Sequence, residues 1–150
     1  MRLRIVSIGK DRSGLFEPIV QEYVGRLQRY TKTETIIAGE AQGEDAQARK
    51  AESALLRKKL GAARFVALDE RGESLTSLEL AARLASEARN AKELAFILGG
   101  PSGFDPELRT EAAWTLALSR FTLPHQLARA VLAEQLYRAH TLLRGEPYSK

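Results

Sequence analysis

Cysteine is absent from this chain of 150 residues, and histidine occurs only twice, at His125 and His140. The first absence excludes a disulfide framework and a thiolate metal site. Two histidines are too few for a histidine-based metal centre unless carboxylates complete it, so no metal is expected. No segment approaches the roughly 20 apolar residues that span a bilayer. The opening, Met1 to Lys10, has too short an apolar run for a signal peptide. The chain is therefore expected in the cytoplasm with no membrane partner. Familiar site signatures are missing too. There is no Gly-x-x-x-x-Gly-Lys, and Gly99 to Gly103 does not spell Gly-x-Gly-x-x-Gly. Gly100-Pro101-Ser102-Gly103-Phe104 misses the nucleophile elbow, because Phe104 stands where the last glycine belongs.

What is present is ordinary in bulk. Hydrophobic residues make up 44% and charged residues 28%, as in a soluble globular protein. The length suits one domain, residues 1–150, with a real core. The net charge of +4 permits a nucleic-acid partner without demanding one, because 19 acidic residues are interspersed.

Along the chain, Leu3 to Ile8 alternates enough to read as a first strand, and Leu15 to Tyr30 as a helix. Thr33 to Ile37 is rich in β-branched residues and reads as a strand. A polar segment from Gly39 leads to a charged helix over Asp45 to Leu60, which Gly61 ends. Arg64 to Leu68 reads as a third strand before a turn at Asp69 to Gly72. Thr76 or Ser77 caps a helix through Leu78, Leu80, Leu84 and Ala88. Leu94 to Leu98 is a fourth strand, Pro106 opens a helix, and Thr115 to Ala117 is a short fifth strand. The last helix runs from His125 to Leu143. Strands alternating with helices predict an α/β fold with a mainly parallel sheet and helices on both faces.

In such sheets ligands settle beyond the carboxyl ends of strands. Three loops leave those ends, after Leu68, after Leu98 and after Ala117. The middle one, Gly99-Gly100-Pro101-Ser102-Gly103, either makes only a tight turn or lets a ligand approach the main chain.

Together with Leu118 to His125 and Ala133-Glu134-Gln135-Leu136-Tyr137-Arg138-Ala139, that loop resembles the ribosomal large subunit methyltransferase H family of the SPOUT superfamily. The resemblance extends over essentially the whole chain. It implies an S-adenosylmethionine-dependent enzyme that methylates N3 of pseudouridine 1915 in helix 69 of 23S ribosomal RNA, in the large subunit or the whole ribosome. It also implies a homodimer and a carboxyl-terminal deep trefoil knot. The family's cofactor contacts carry over to Leu68, Gly99, Leu118, Ser119, Arg120, Phe121, Thr122 and Leu123. The leucines then wall a flat adenine ring, backbone groups meet its edge, and Gly99 leaves room for the methionine tail.

An electrophilic methyl donor asks the protein mainly for alignment. The N3 proton must leave, so a base or a cation that stabilises the anionic ring assists. Arg138 matches an arginine of the family's Leu-Tyr-Arg motif and is the candidate cation. It reads equally well as a surface ion pair with Glu134, four residues earlier. Tyr148 is a second catalytic candidate, available to stack on or hydrogen-bond the target ring, and Lys150 to contact phosphate. Ser149 stands where family members usually carry histidine, which weakens any claim for a tail base. On the last helix, Glu134 and Arg138 lie beside Leu127 and Val131, away from the stripe Ala128, Leu132, Leu136, Ala139 and Leu143, and a second subunit is the natural occupant of that face. Arg49, Lys50, Arg57, Lys58, Lys59 and Arg64 read as an RNA-facing patch or as a solvated helix face. Two further readings stay open: a non-catalytic ribosome-associated factor that keeps the cofactor fold, and a protein binding another adenine nucleotide.

Overall fold

The structure, a computed structural model, describes residues 1–148; Ser149 and Lys150, with the tail contact expected of Lys150, lie outside the described residues. Five strands alternate with five helices: β1 (Arg2–Ile8), α1 (Glu17–Leu27), β2 (Thr33–Ala38), α2 (Asp45–Leu60), β3 (Phe65–Ser74), α3 (Ser77–Asn90), β4 (Glu93–Leu98), α4 (Pro106–Glu111), β5 (Trp114–Ala117) and α5 (His125–Arg144). All strand pairs are parallel, in the order β2-β1-β4-β3-β5. The fold is the α/β arrangement that the alternation predicts.

Both faces of the sheet are covered, and the pleat divides the core in two. Leu3 and Ile5 of β1 and Leu94, Phe96 and Leu98 of β4 join α1, α3 and α5. Val6, Ile8, Ala95 and Ile97 point the other way, toward Leu56 and Leu60 of α2 and Leu108 of α4. β1 is consequently buried from Leu3 onward rather than alternating between core and solvent.

Local chemistry explains where the elements begin and end. α1 starts at Glu17 and not Leu15, because Asp11 Oδ2 accepts the backbone N–H groups of Phe16 and Glu17 at 2.7 and 2.9 Å. α3 opens with a capping box. Thr76 Oγ1 accepts from Glu79 N–H, and Glu79 Oε2 accepts from Thr76 N–H. The expected turn at Asp69 to Gly72 does not terminate β3. It is an excursion within it, since both Leu68 and Glu73 register with Leu116 of β5.

Glu87 of α3 is a buried carboxylate that ties the residue before β3 to the start of β5. It accepts from Arg64 Nε and Nη2 at 2.6 and 3.1 Å and from Trp114 Nε1 at 3.0 Å. The Arg64 hydrogen bonds lower its pKa against the opposing effect of burial. A carboxylate with a lowered folded-state pKa contributes stability above its unfolded value of 4.5 and loses it as pH falls through the folded value. Glu87→Gln is expected to cost about 2 kcal/mol at neutral pH. It should also flatten the acid limb of stability below pH 4.5, as measured by urea unfolding across pH.

Candidate functional site

The 69–72 excursion of β3 and the loops after β4 and β5 meet in one cleft of about 770 Å³, closed on one side by the start of α5. Leu68, Leu98, Leu116, Leu118 and Leu123 give it apolar walls, and Asp69 and Glu70 bring carboxylates to its lining. Its volume and mixed lining suit a small organic molecule. The loops are joined directly. Thr122 Oγ1 donates to Glu70 Oε2 at 2.5 Å, linking the β3 excursion to the segment after β5. Asp69 accepts from Arg71 and, at 2.9 Å, from Arg109 Nη1, so its charge is neutralised on the spot.

The middle loop is the tightest. Gly103 N–H donates to Gly100 O at 3.0 Å, and a Cβ on Gly99 would stand 3.0 Å from the Gly103 carbonyl carbon and 3.1 Å from its oxygen. The space beside Gly99 is thus taken by the loop's own backbone rather than left for a ligand's tail. Gly72 is under the same constraint. A Cβ there would meet Leu116 N and Thr115 C at 2.8 Å, where the excursion passes β5. α2 holds the middle loop from below: Arg49 Nε donates to Ser102 O at 2.8 Å, and Ser53 Oγ accepts from Asp105 N–H at 2.9 Å.

Seven residues singled out in the sequence line this cleft: Leu68, Gly99, Leu118, Ser119, Phe121, Thr122 and Leu123. Phe121 does so with its side chain largely in solvent, 83% exposed, and Arg120 is not part of the lining. Asp69, Glu70, Leu98, Leu116, Pro124, His125 and Ala128 also line it and were not singled out as ligand contacts. For Glu70 the available signal was its place in the turn expected at Asp69 to Gly72.

Arg138 and Tyr148 lie elsewhere. Arg138 follows Ala128 by ten residues on α5, about 15 Å along the axis at the helical rise. Its Nε and Nη2 donate to Glu134 Oε1 at 2.9 and 2.7 Å, and its guanidinium lies 4.8 Å from the Tyr148 ring centroid. Tyr148 OH donates to Glu134 Oε1 at 3.0 Å and lies 3.4 Å from Tyr23 OH. Burial, helped by these two hydrogen bonds, pushes the Tyr148 phenol well up, so at neutral pH it is a donor. The surface ion pair with Glu134 is therefore real, and it forms the base of a cluster holding the tail. One chain brings the cleft residues together and brings Arg138 to Tyr148, but does not bring the two sets to each other.

The basic residues divide. Arg49, Arg57 and Arg64 are turned to Ser102, Glu111 and Glu87, whereas Lys50, Lys58 and Lys59 are exposed. Among the described residues no three His, Asp or Glu side chains are grouped to hold a metal ion, and no helix is long and apolar enough to cross a membrane.

A family model described as "Predicted SPOUT methyltransferase" matches residues 1–149. The chain is 49% identical over 153 aligned positions to the "Ribosomal RNA large subunit methyltransferase H" of Anaeromyxobacter sp. (strain Fw109-5), covering 100% of both. It is 44% identical to the protein of the same name from Geobacter metallireducens, covering 99% of this chain and 98% of that one. Among solved structures, a probable methylase family protein from Haemophilus influenzae Rd KW20 superposes with a TM-score of 0.60 at 14% identity, over 99% of this chain and 70% of that chain. The SpoU methyltransferase AviRb from Streptomyces viridochromogenes gives 0.52 at 15% identity, over 96% and 61%. At these identities the two structures bear on the fold alone.

The close passage at Gly72 yields a direct test of how the cleft is built. Gly72→Ala forces backbone apart between β3 and β5 and is expected to destabilise by about 1–3 kcal/mol. The measurement is thermal unfolding by circular dichroism, with Gly25→Ala, a glycine with nothing within 4 Å of its Cβ position, as the control.

Proposed function

Because the chain belongs to the ribosomal RNA large subunit methyltransferase H family of SPOUT methyltransferases, we propose that it transfers a methyl group from S-adenosylmethionine to N3 of pseudouridine 1915 in helix 69 of 23S ribosomal RNA, acting in the cytoplasm on the assembled ribosome. The observation that carries this reading is the cleft between the 69–72 excursion of β3 and the loops after β4 and β5, with leucine walls and three segments offering main-chain groups. Leu68, Leu118 and Leu123 would flank the adenine ring, and backbone of the segments 99–103 and 118–123 would meet its edge. Bound there, S-adenosylmethionine supplies an electrophilic methyl group. Glu70 brings to the lining a carboxylate whose partner is the Thr122 hydroxyl rather than an arginine, which suits a cationic ligand.

The chain's own residues then have to orient the uracil-type ring and stabilise charge on it as N3 loses its proton. Arg138 is the proposed cation for that anion, and Tyr148, protonated, the proposed hydrogen-bond donor to the ring. Their separation from the cleft along α5 is resolved if the enzyme is a homodimer in which one copy's cleft faces the other copy's Arg138 and Tyr148. Exposed Leu15 (69%) just before α1, Ile19 (44%) in its first turn and Leu78 (68%) at the start of α3, the two helices that flank α5, support such an interface. We read residues 1–150 as one methyltransferase domain with a deep trefoil knot.

Calorimetric titration with S-adenosylmethionine, followed by mass spectrometry of the target nucleotide from ribosomes treated with the protein, tests the reading. Binding and methylation are expected. Ser149 favours the alternative, a non-catalytic ribosome-associated factor, which binds the donor and leaves the nucleotide unmethylated.

Arg138→Ala is expected to lower kcat about 10²-fold with the donor's Kd unchanged. Gly99→Val is expected to deform the middle loop and abolish donor binding. Mixing the two inactive variants should restore about a quarter of wild-type turnover, since random pairing gives half heterodimers with one intact site each. No restoration would overturn the shared site.

A further inference from the structure

Beneath the middle loop, on the side away from the cleft, lies a carboxylate that the proposed chemistry does not use. Glu52 of α2 is 3% exposed. Its Oε2 accepts the backbone N–H of Ala41 at 3.1 Å, and its Oε1 is buried with no hydrogen-bond partner among the described residues. Buried charge left half unsatisfied is costly, so a protein that keeps it needs a compensating interaction.

The compensating position is across Gly100. That residue lines the cleft on one side, and on the other a Cβ built on it would stand 3.3 Å from Glu52 Oε1 and 3.5 Å from Oε2. Only the thickness of one glycine separates the carboxylate from the ligand space. No water layer fits in that gap, so the field of the charge reaches the cleft with little screening. Two other charged groups of α2 face the same loop. Arg49 donates to Ser102 O, and Asp45 Oδ1 lies 3.4 Å from Ser102 Oγ, so the three together leave one net negative charge under the loop.

We propose that Glu52 is a specificity-determining residue that makes the cleft select the positively charged methyl donor over its neutral demethylated product. The inference rests on the methyl-donor reading above. The donor carries a sulfonium charge in addition to its zwitterionic amino-acid end; the product is the corresponding thioether, with one positive charge fewer. A fixed buried anion behind Gly100 stabilises the first and is indifferent to the second. It thereby favours product release once the methyl has left. Glycine at 100 leaves the carboxylate this close without crowding, since a Cβ there would press on Ile8 Cγ2 at 3.1 Å as well as on Glu52 Oε1.

The test is the ratio of two dissociation constants, for S-adenosylmethionine and S-adenosylhomocysteine, measured calorimetrically on the full chain. Glu52→Gln keeps the length, the contact with Gly100 and an acceptor for Ala41 N–H, and removes only the charge. It is expected to weaken donor binding about 3- to 10-fold while leaving product binding unchanged, so that the ratio falls by that factor. Glu52→Asp, which keeps the charge and loses the fit, should preserve the ratio even where both affinities drop. Where Glu52→Gln does not fold, Glu52→Met gives the same readout. Equal loss for both ligands would mark Glu52 as merely structural and overturn the proposal, as would no change for either. Wild-type protein that binds neither compound would overturn the methyl-donor reading itself, a result distinct from wild type binding both and the variants binding them alike.

Discussion

Parallel pairing of β3 with β5 around the 69–72 excursion is the constraint on which the cleft depends. Leu68 and Glu73 share Leu116 as partner, so the four residues between them must leave the sheet. They leave it at the carboxyl end, where the loops after β4 and β5 also emerge. Pairing before and after the excursion holds its two ends on one edge strand, and Gly72 lets it pass against β5 backbone. Without that passage Glu70 would not reach Thr122, and the cleft would lose the bridge between two of its walls.

The sheet's burial on both faces does the complementary work. Val66 and Ala67 of β3 and Phe96 and Ile97 of β4 send alternate side chains into two separate cores, which leaves the strand ends as the places where backbone polar groups reach a ligand. α2 serves one of those cores with Leu56 and Leu60, and on its adjacent turns it serves the middle loop with Arg49, Glu52 and Ser53. A single helix thus couples the stability of the fold to the shape of the loop.

Much of this was legible in the residues because the signals are local. The Thr76-x-x-Glu79 capping box, the helix from Asp45 to Leu60 and the strand ends at Leu98 and Ala117 need no knowledge of distant contacts. What was not legible depends on partners far apart in sequence. Asp69 to Gly72 carries turn chemistry, and only the register with Leu116 shows that the strand resumes beyond it. Asp11 as the acceptor at the start of α1 is five residues from Phe16, outside the usual capping spacing. The space beside Gly99 reads as free from a glycine-rich sequence, yet Gly103 fills it once the loop closes on itself. Residues such as Glu70 and Glu52 carry no motif at all; one matters through Thr122 and the other through Gly100.

The distribution of charge says how a chain of this size would meet a large polyanion. Three of the six basic residues from Arg49 to Arg64 are committed to Ser102, Glu111 and Glu87, so their charge stabilises the fold and the loop more than it projects outward. Arginines at the ends of α1 and α5 are likewise folded onto tyrosines, with Arg26 over Tyr23 and Tyr137, and Arg144 over Tyr30. Such stacked guanidinium groups keep their charge while lowering the entropy lost on contact with phosphate. A net charge of +4 spread in this way gives weak attraction to any one stretch of RNA. Discrimination among RNA sites must then come from shape more than from charge. Long-range attraction of this size brings the surfaces near one another, and the shape of the cleft has to supply the selectivity.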